Sequence, residues 1–385
     1  MRFSVDAHAI GRRLTGNEVY IRSLLNAFAR LDPQAEFVAY VSEPDVNGWV
    51  PSSFLKRHVA GNRYWRLGYH LAECLRRDRP ALVHVQYNAP LFCPVPSVVT
   101  VHDVSFIEHP EYFPKGRAWQ LRVATGSTVR RAARIITISE FSRQRISRAF
   151  DLDPDDIVVT PLAAQEHFRP LPRAQTVTQV RERFGIDRPM VLNVGDVQPR
   201  KNQVGLIRAF RELLAGAPNL PHVLVLAGQE TWFSPHLQEE IRRSGLRERI
   251  VVTGFVGEDD LAALYNAADV FVFPSFYEGF GLPVIEAMAC GRAVVCSNTA
   301  SLPEVAGGAA VLVEPGSAGD LLRAMREVLL NEELRQRLER RSLQRAAALS
   351  WRETARQTLD VYYSVAEGRR HTPAAAVAET TRAAR

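Results

Sequence analysis

Short runs rich in β-branched residues recur along the chain, each followed by a stretch with helical spacing, and this alternation constrains the fold more than any other feature. In the first half the runs fall at 2–5, 36–41, 82–86, 97–101, 134–138 and 157–160. A Pro-rich passage from Pro161 to Pro172 intervenes, and further runs follow at 190–194, 222–227, 250–253, 270–274, 293–297 and 310–313. Continuously apolar strands separated by helices belong to parallel sheets covered on both faces, because a parallel neighbour is reached only through a crossover. Tyr20, Leu24, Ala27, Phe28 and Leu31 repeat at helical spacing and read as one covering face. Two sets of six strands predict an α/β protein of two facing, doubly wound (Rossmann-like) parallel-sheet domains, 1–168 and 169–350, with ligands at the carboxyl ends of the strands. A length of 385 residues supplies a core to each. Ser350 and Glu353 form a capping box that opens a helix over 351–367, and 368–385 reads as a disordered Ala/Arg/Thr-rich tail.

Several classes are excluded early. A net charge of +6, from 48 basic and 42 acidic residues, is too balanced to mark a nucleic-acid-binding protein. Cys74, Cys93, Cys290 and Cys296 lack metal-knuckle spacing and read as buried thiols of a reduced compartment. No apolar run approaches the roughly 20 residues of a membrane span, and Asp6 interrupts the only leader-like stretch, so a cytoplasmic protein is expected. An NAD-dependent oxidoreductase would carry Gly-x-Gly-x-x-Gly after its first strand, which this chain lacks.

The most informative segment runs Pro-Ser-Phe-Tyr-Glu-Gly-Phe-Gly-Leu-Pro-Val-Ile-Glu-Ala from Pro274 to Ala287. It leaves a strand, turns through Gly279 and Gly281, and enters a helix with Pro283 in the first turn. Unpaired N–H groups and the macrodipole suit such a helix start to phosphate. Glu278 precedes the helix and Glu286 falls in its first turn, where two carboxylates could flank a polyhydroxylated ligand. A second strand-to-helix turn, Val-Gly-Asp-Val-Gln-Pro-Arg-Lys-Asn, places Arg200 and Lys201 at a carboxyl edge, where two cations can neutralise a leaving pyrophosphate.

Glu278 and Glu286 with seven residues between them, the following Cys-Gly-Arg-Ala-Val-Val and Leu302-Pro303-Glu304-Val305 together resemble the signature of the GT4-type (group 1) retaining glycosyltransferases of GT-B fold. The resemblance reaches from the N-terminus to about Glu367. It implies that Glu286 binds the donor ribose, that Glu278 contacts the transferred sugar, and that Phe280, Gly281 and Leu282 present backbone groups to sugar and phosphates. Val256, after Val252-Thr253-Gly254-Phe255, resembles the family's base-contacting turn. The Pro-Arg-Lys-Asn form resembles mannosyl- and other hexosyltransferases of bacterial surface polysaccharide assembly, which makes GDP-mannose the expected donor, with a UDP-sugar as the other candidate. Neither a metal nor another cofactor is implied, since Arg200 and Lys201 can carry the phosphate charge.

On the acceptor side, Val-His-Asp at Val101–Asp103 closes a first-domain strand and matches the family. The resemblance implies that His102 hydrogen-bonds the transferred sugar, while Asp103 either positions it or approaches the acceptor. Ser139 reads as a helix N-cap. Gly16, with Asn17 and Glu18, stands where relatives carry a first Gly-rich loop, although Glu18 occupies the place of a second glycine. Nine Lys or Arg against one acid, Glu140, between Lys115 and Arg148, and a second cluster of Arg63, Tyr64, Trp65, Arg66, Arg76, Arg77 and Arg79, suit an anionic membrane surface or a lipid-linked saccharide acceptor. A related nucleotide-sugar epimerase, or a non-catalytic sugar-nucleotide-binding protein, stays open as an alternative.

Overall fold

The computed structural model describes residues 1–12, 15–46 and 48–368, so the tail expected at 368–385 lies, but for Gly368, outside the described residues. The first sheet is built from β1 (Arg2–Asp6), β2 (Glu36–Val41), β3 (Leu55–His58), β4 (Leu82–Gln86), β5 (Ser97–Thr100), β6 (Arg134–Thr137) and β7 (Ile157–Val159). Its order is β3-β2-β1-β4-β5-β6-β7, with every neighbouring pair parallel. The second contains β8 (Met190–Val194), β9 (Val223–Ala227), β10 (Ile250–Gly254), β11 (Val270–Phe273), β12 (Ala293–Ser297) and β13 (Val311–Val313), ordered β10-β9-β8-β11-β12-β13 and again parallel. Seven strands therefore stand in the first sheet where the sequence predicts six. The extra one, β3, reads Leu-Lys-Arg-His and lies at the sheet edge with Leu55 40% exposed, so it needs no apolar run.

Central strands are buried along their whole length, as β4, β9, β11 and β12 show. That is why they read as unbroken apolar runs rather than alternations. The helix Thr15–Leu31 buries Tyr20, Leu24 and Phe28 completely against the first sheet. Strand order reverses between β1 and β4 and again between β8 and β11, and crevices at such points open at the carboxyl ends. The loops that follow β4, β5, β8 and β11 carry the residues of interest.

The last helix, Trp351–Ala366, starts with Ser350 Oγ accepting the Glu353 N–H at 3.2 Å. It lies on the first sheet's side of the molecule. Tyr362 Oη bonds His84 Nδ1 at 2.6 Å, and Tyr363 stacks edge-on against Phe3.

Candidate active site

In the second domain, the chain leaves β11 through a loop that turns at Gly281, whose φ of +98° is left-handed. A Cβ there would lie 2.6 Å from Leu302 Cδ2, so this turn requires glycine. The helix Leu282–Ala289 begins next, with Pro283 in its first turn, where the missing N–H costs nothing. Glu278, in the loop, is buried against both expected cations. Lys201 Nζ donates to Oε1 at 2.6 Å and Arg200 Nη1 to Oε2 at 2.8 Å, while Arg200 also donates to the Tyr277 carbonyl at 3.1 Å. Burial alone would raise the Glu278 pKa, but Arg200 and Lys201 outweigh it and hold the carboxyl down at about 2. The Lys201 pKa is lowered as well: burial and the Arg200 charge disfavour its charged form despite Glu278. Its Nζ also lies over the Phe273 ring, 4.8 Å from the centroid. The Phe276 N–H donates to the Arg200 carbonyl at 2.7 Å and joins the two loops.

Glu286 corrects one expectation. It is the fifth residue of its helix and therefore lies beyond the first turn, too far along to answer the dipole at the helix start. Its carboxyl is buried and accepts the Tyr265 hydroxyl at 2.9 Å. Burial raises its pKa to about 7, with Tyr265 pulling down and Glu258 pushing up more weakly. Val256 follows β10, partly buried against the core.

His102 stands two residues beyond β5, buried, with the Tyr20 ring edge-on at 4.8 Å and the Tyr87 ring at 5.6 Å. Its Nε2 lies 2.7 Å from Gln86 Oε1, and the Gln86 amide nitrogen donates to the Asn17 carbonyl at 3.3 Å. An amide oxygen only accepts, so this arrangement puts the imidazole proton on Nε2 and leaves Nδ1 as an acceptor. Burial lowers the His102 pKa to about 3, so the ring is neutral. Among the described residues, the Asp103 carboxylate bonds Ser105 and makes no hydrogen bond to the His102 ring. Asp103 Oδ1 accepts from the Ser105 N–H at 2.8 Å and the Ser105 hydroxyl at 2.6 Å, fastening the short helix Ser105–Glu108.

Gly279 brings the two halves together. A Cβ on it would sit 2.5 Å from the His102 carbonyl oxygen. Its own carbonyl accepts from Ser139 Oγ at 2.6 Å and Ser142 Oγ at 3.2 Å. Ser139 also accepts the Ser142 N–H at 3.0 Å, so it caps its helix and ties the second domain down with one hydroxyl. Glu304 adds a cross-domain cap, its carboxylate accepting the Glu140 and Phe141 N–H groups at 2.9 and 3.1 Å.

Gly16 lies in the first turn of its helix rather than in a loop, exposed, with no side chain of the other described residues, its chain neighbours aside, within 4 Å of where a Cβ would stand. The neighbouring Glu18 is buried, and its Oε1 accepts the Gly11 N–H at 3.0 Å, which pins the loop after β1. Arg66, expected on a basic surface, is buried instead and paired with Asp6. Two residues of this site escaped the sequence reading: Gln86, whose only sign was its place at a strand's carboxyl end, and Tyr265, which looked like any core aromatic.

Residues 14–164 match the model of Glycosyltransferase Family 4, and 177–345 that of glycosyl transferases group 1. The O-antigen chain mannosyltransferase B of Escherichia coli is 36% identical over 266 residues, which cover 69% of this chain and 70% of that one. A serotype-specific mannosyltransferase WbdA of Escherichia coli is 33% identical over 250 residues, 63% of this chain, and this chain spans only 30% of WbdA's length. Among solved structures, sucrose-phosphate synthase from Thermosynechococcus elongatus superposes with a TM-score of 0.77 at 19% identity, over 96% of this chain and all of its own. The two facing parallel-sheet domains are those of the GT-B architecture.

Proposed function

The chain belongs to the GT4-type, group 1 glycosyltransferases, and on that premise we propose that it transfers mannose from GDP-mannose, with retention of anomeric configuration, to a saccharide or lipid-linked saccharide in surface polysaccharide assembly. The observation that carries this reading is the Arg200–Glu278–Lys201 cluster set against Gly279 and His102. A nucleoside diphosphate brings anionic oxygens that Arg200 and Lys201 bind in exchange for Glu278, which is then free to accept hydrogen bonds from the sugar hydroxyls. The cations stabilise charge as it builds on the leaving diphosphate, a role that calls for no metal ion. The neutral His102 offers Nδ1 to a hydroxyl of the transferred sugar. The departing phosphate takes the acceptor's proton on the face it leaves, so Glu278 serves as a binding group and not as a nucleophile. Glu286 receives the ribose hydroxyls. The mannosyltransferase names of the relatives support mannose.

The test is thermal denaturation with GDP, UDP, ADP and dTDP, followed by proton NMR of the product formed from GDP-mannose. Ligand at about 100 times its dissociation constant adds roughly 2.7 kcal/mol and several degrees. A shift with GDP and an α-linked product are expected. A shift with UDP alone would move the donor to a UDP-sugar, and a β-linked product would end the retaining mechanism.

A further inference from the structure

The carboxyl end of β1 carries a second polar cluster that the donor chemistry leaves unused. Asp6 Oδ1 accepts from His8 Nδ1 at 3.1 Å and from the His8 backbone N–H at 3.4 Å, while Oδ2 accepts Arg66 Nη1. Asp6 and Arg66 are almost fully buried, and Arg66 Nε has no partner among the described residues. Arg66 opens the single π-turn Arg66–His70, which His70 holds in place by accepting the Ala60 N–H at 3.0 Å. A carboxylate on Nδ1 fixes the imidazole's orientation and leaves the Nε2 lone pair outward. His8 is only partly buried, its side chain 18% exposed, and no described residue bonds its Nε2. Burial would raise the Asp6 carboxyl, but the Arg66 charge and the two hydrogen bonds from His8 outweigh it and keep it ionised.

Position gives the cluster its meaning. β1 and β5 flank β4, so the ends of β1 and β5 are two strand spacings apart, about 10 Å. His102, at the β5 end, lies against the donor loop through Gly279; His8 lies along the same edge on the side away from that contact. Arg66 cancels the Asp6 charge, so the cluster presents a neutral acceptor atom and suits a sugar hydroxyl better than a phosphate.

We propose that His8, oriented by the Asp6–Arg66 pair, binds a hydroxyl of the incoming saccharide acceptor and selects the acceptor's orientation. The inference rests on the glycosyltransferase reading above and concerns a positioning residue. The probe is methyl α-mannoside, observed by saturation-transfer NMR in the presence of GDP, with wild type, His8→Ala and His8→Gln. Expected is a signal in wild type, at least tenfold weaker in His8→Ala and partly recovered in His8→Gln, whose amide oxygen can also accept. In steady-state transfer the KM for methyl α-mannoside should rise at least tenfold in His8→Ala, while the KM for GDP-mannose stays within twofold. Equal signals in wild type and His8→Ala, or no signal in wild type, would overturn the assignment. The GDP-induced thermal shift in the same samples reports on the donor site by itself, so the loss of one reading is distinguishable from the loss of the other.

Discussion

Glu278 and Glu286, with seven residues between them, carry the same carboxyl group into opposite surroundings. Glu278 meets two cations, Lys201 buried and Arg200 partly so, and its pKa falls to about 2, while Glu286 meets apolar walls and one phenol and rises from 4.5 to about 7. A raised folded-state value means that the folded chain holds its proton where the unfolded chain has lost it. The Glu286 contribution to stability is therefore complete below pH 4.5 and is lost as pH climbs through about 7, a swing of about 3 kcal/mol. Ribose hydroxyls donate best to the ionised form, so nucleoside diphosphate should bind more tightly as pH rises from 6 to 8, with proton release. Calorimetry in buffers of different ionisation enthalpy checks this, with Glu286→Gln expected to abolish both the Glu286 proton release and the matching stability slope. An identical proton count in wild type and Glu286→Gln would remove the ribose role. The carboxyl pair was legible from sequence because both groups sit in one contiguous motif, but their protonation was not, since it depends on Tyr265, Arg200 and Lys201 from other elements.

At the scale of elements, what could be read was whatever repeats locally. Apolar runs announced twelve strands, and Gly281 with Pro283 announced the turn into the helix Leu282–Ala289, because period and turn chemistry lie in neighbouring residues. Strand β3 did not announce itself, since an exposed edge places no demand for apolar residues on Lys56, Arg57 or His58. The partners of His102 and Asp6 were also silent: Gln86 and Arg66 reach them across 16 and 60 residues of sequence. The loop from Pro274 to Gly281 tests how far such contacts matter. The Cβ of Gly279→Ala would meet the His102 carbonyl at 2.5 Å, backbone against backbone, so the loop and the first domain must separate. Ser139 and Ser142 would then lose a shared acceptor, at roughly 1 kcal/mol for each bond. Turnover is expected to fall at least tenfold and the radius of gyration to grow, while far-ultraviolet circular dichroism keeps both sheets. Wild-type turnover in Gly279→Ala would show that this contact is incidental to the chemistry.

For the molecule as a whole, the question is where a lipid-linked acceptor would meet it. No helix among the described residues is long and apolar enough to cross a membrane. The first domain instead exposes Tyr64, Trp65, Tyr69, Leu91, Phe92 and Trp119, each at least half exposed. Hydrogen bonds join these segments: the Leu91 N–H donates to the Leu67 carbonyl at 3.1 Å, and the Arg131 guanidinium donates to the Leu91 carbonyl. The basic residues first suspected are less free. Arg131 is held there, Arg134 lies 3.7 Å from Asp156, and Arg66 is buried with Asp6. The exposed rings therefore offer more than the arginines to an interfacial layer, where amphipathic aromatics settle, while the remaining positive charges attract anionic headgroups at about 1 kcal/mol each. Flotation with vesicles containing phosphatidylglycerol separates the two contributions. Binding is expected at 50 mM salt and, weakened but not lost, at 500 mM, because the shorter Debye length removes only the electrostatic part. Trp65→Ser/Phe92→Ser/Trp119→Ser should abolish it at both salts, while Arg130→Ala/Arg131→Ala/Arg134→Ala should weaken it by tenfold or less. Solvent-exposed rings add little to the folded state, so the aromatic variant should melt within a few degrees of wild type. Equal flotation of that variant and wild type would move the docking surface elsewhere, and no flotation of wild type would leave a soluble saccharide as the acceptor.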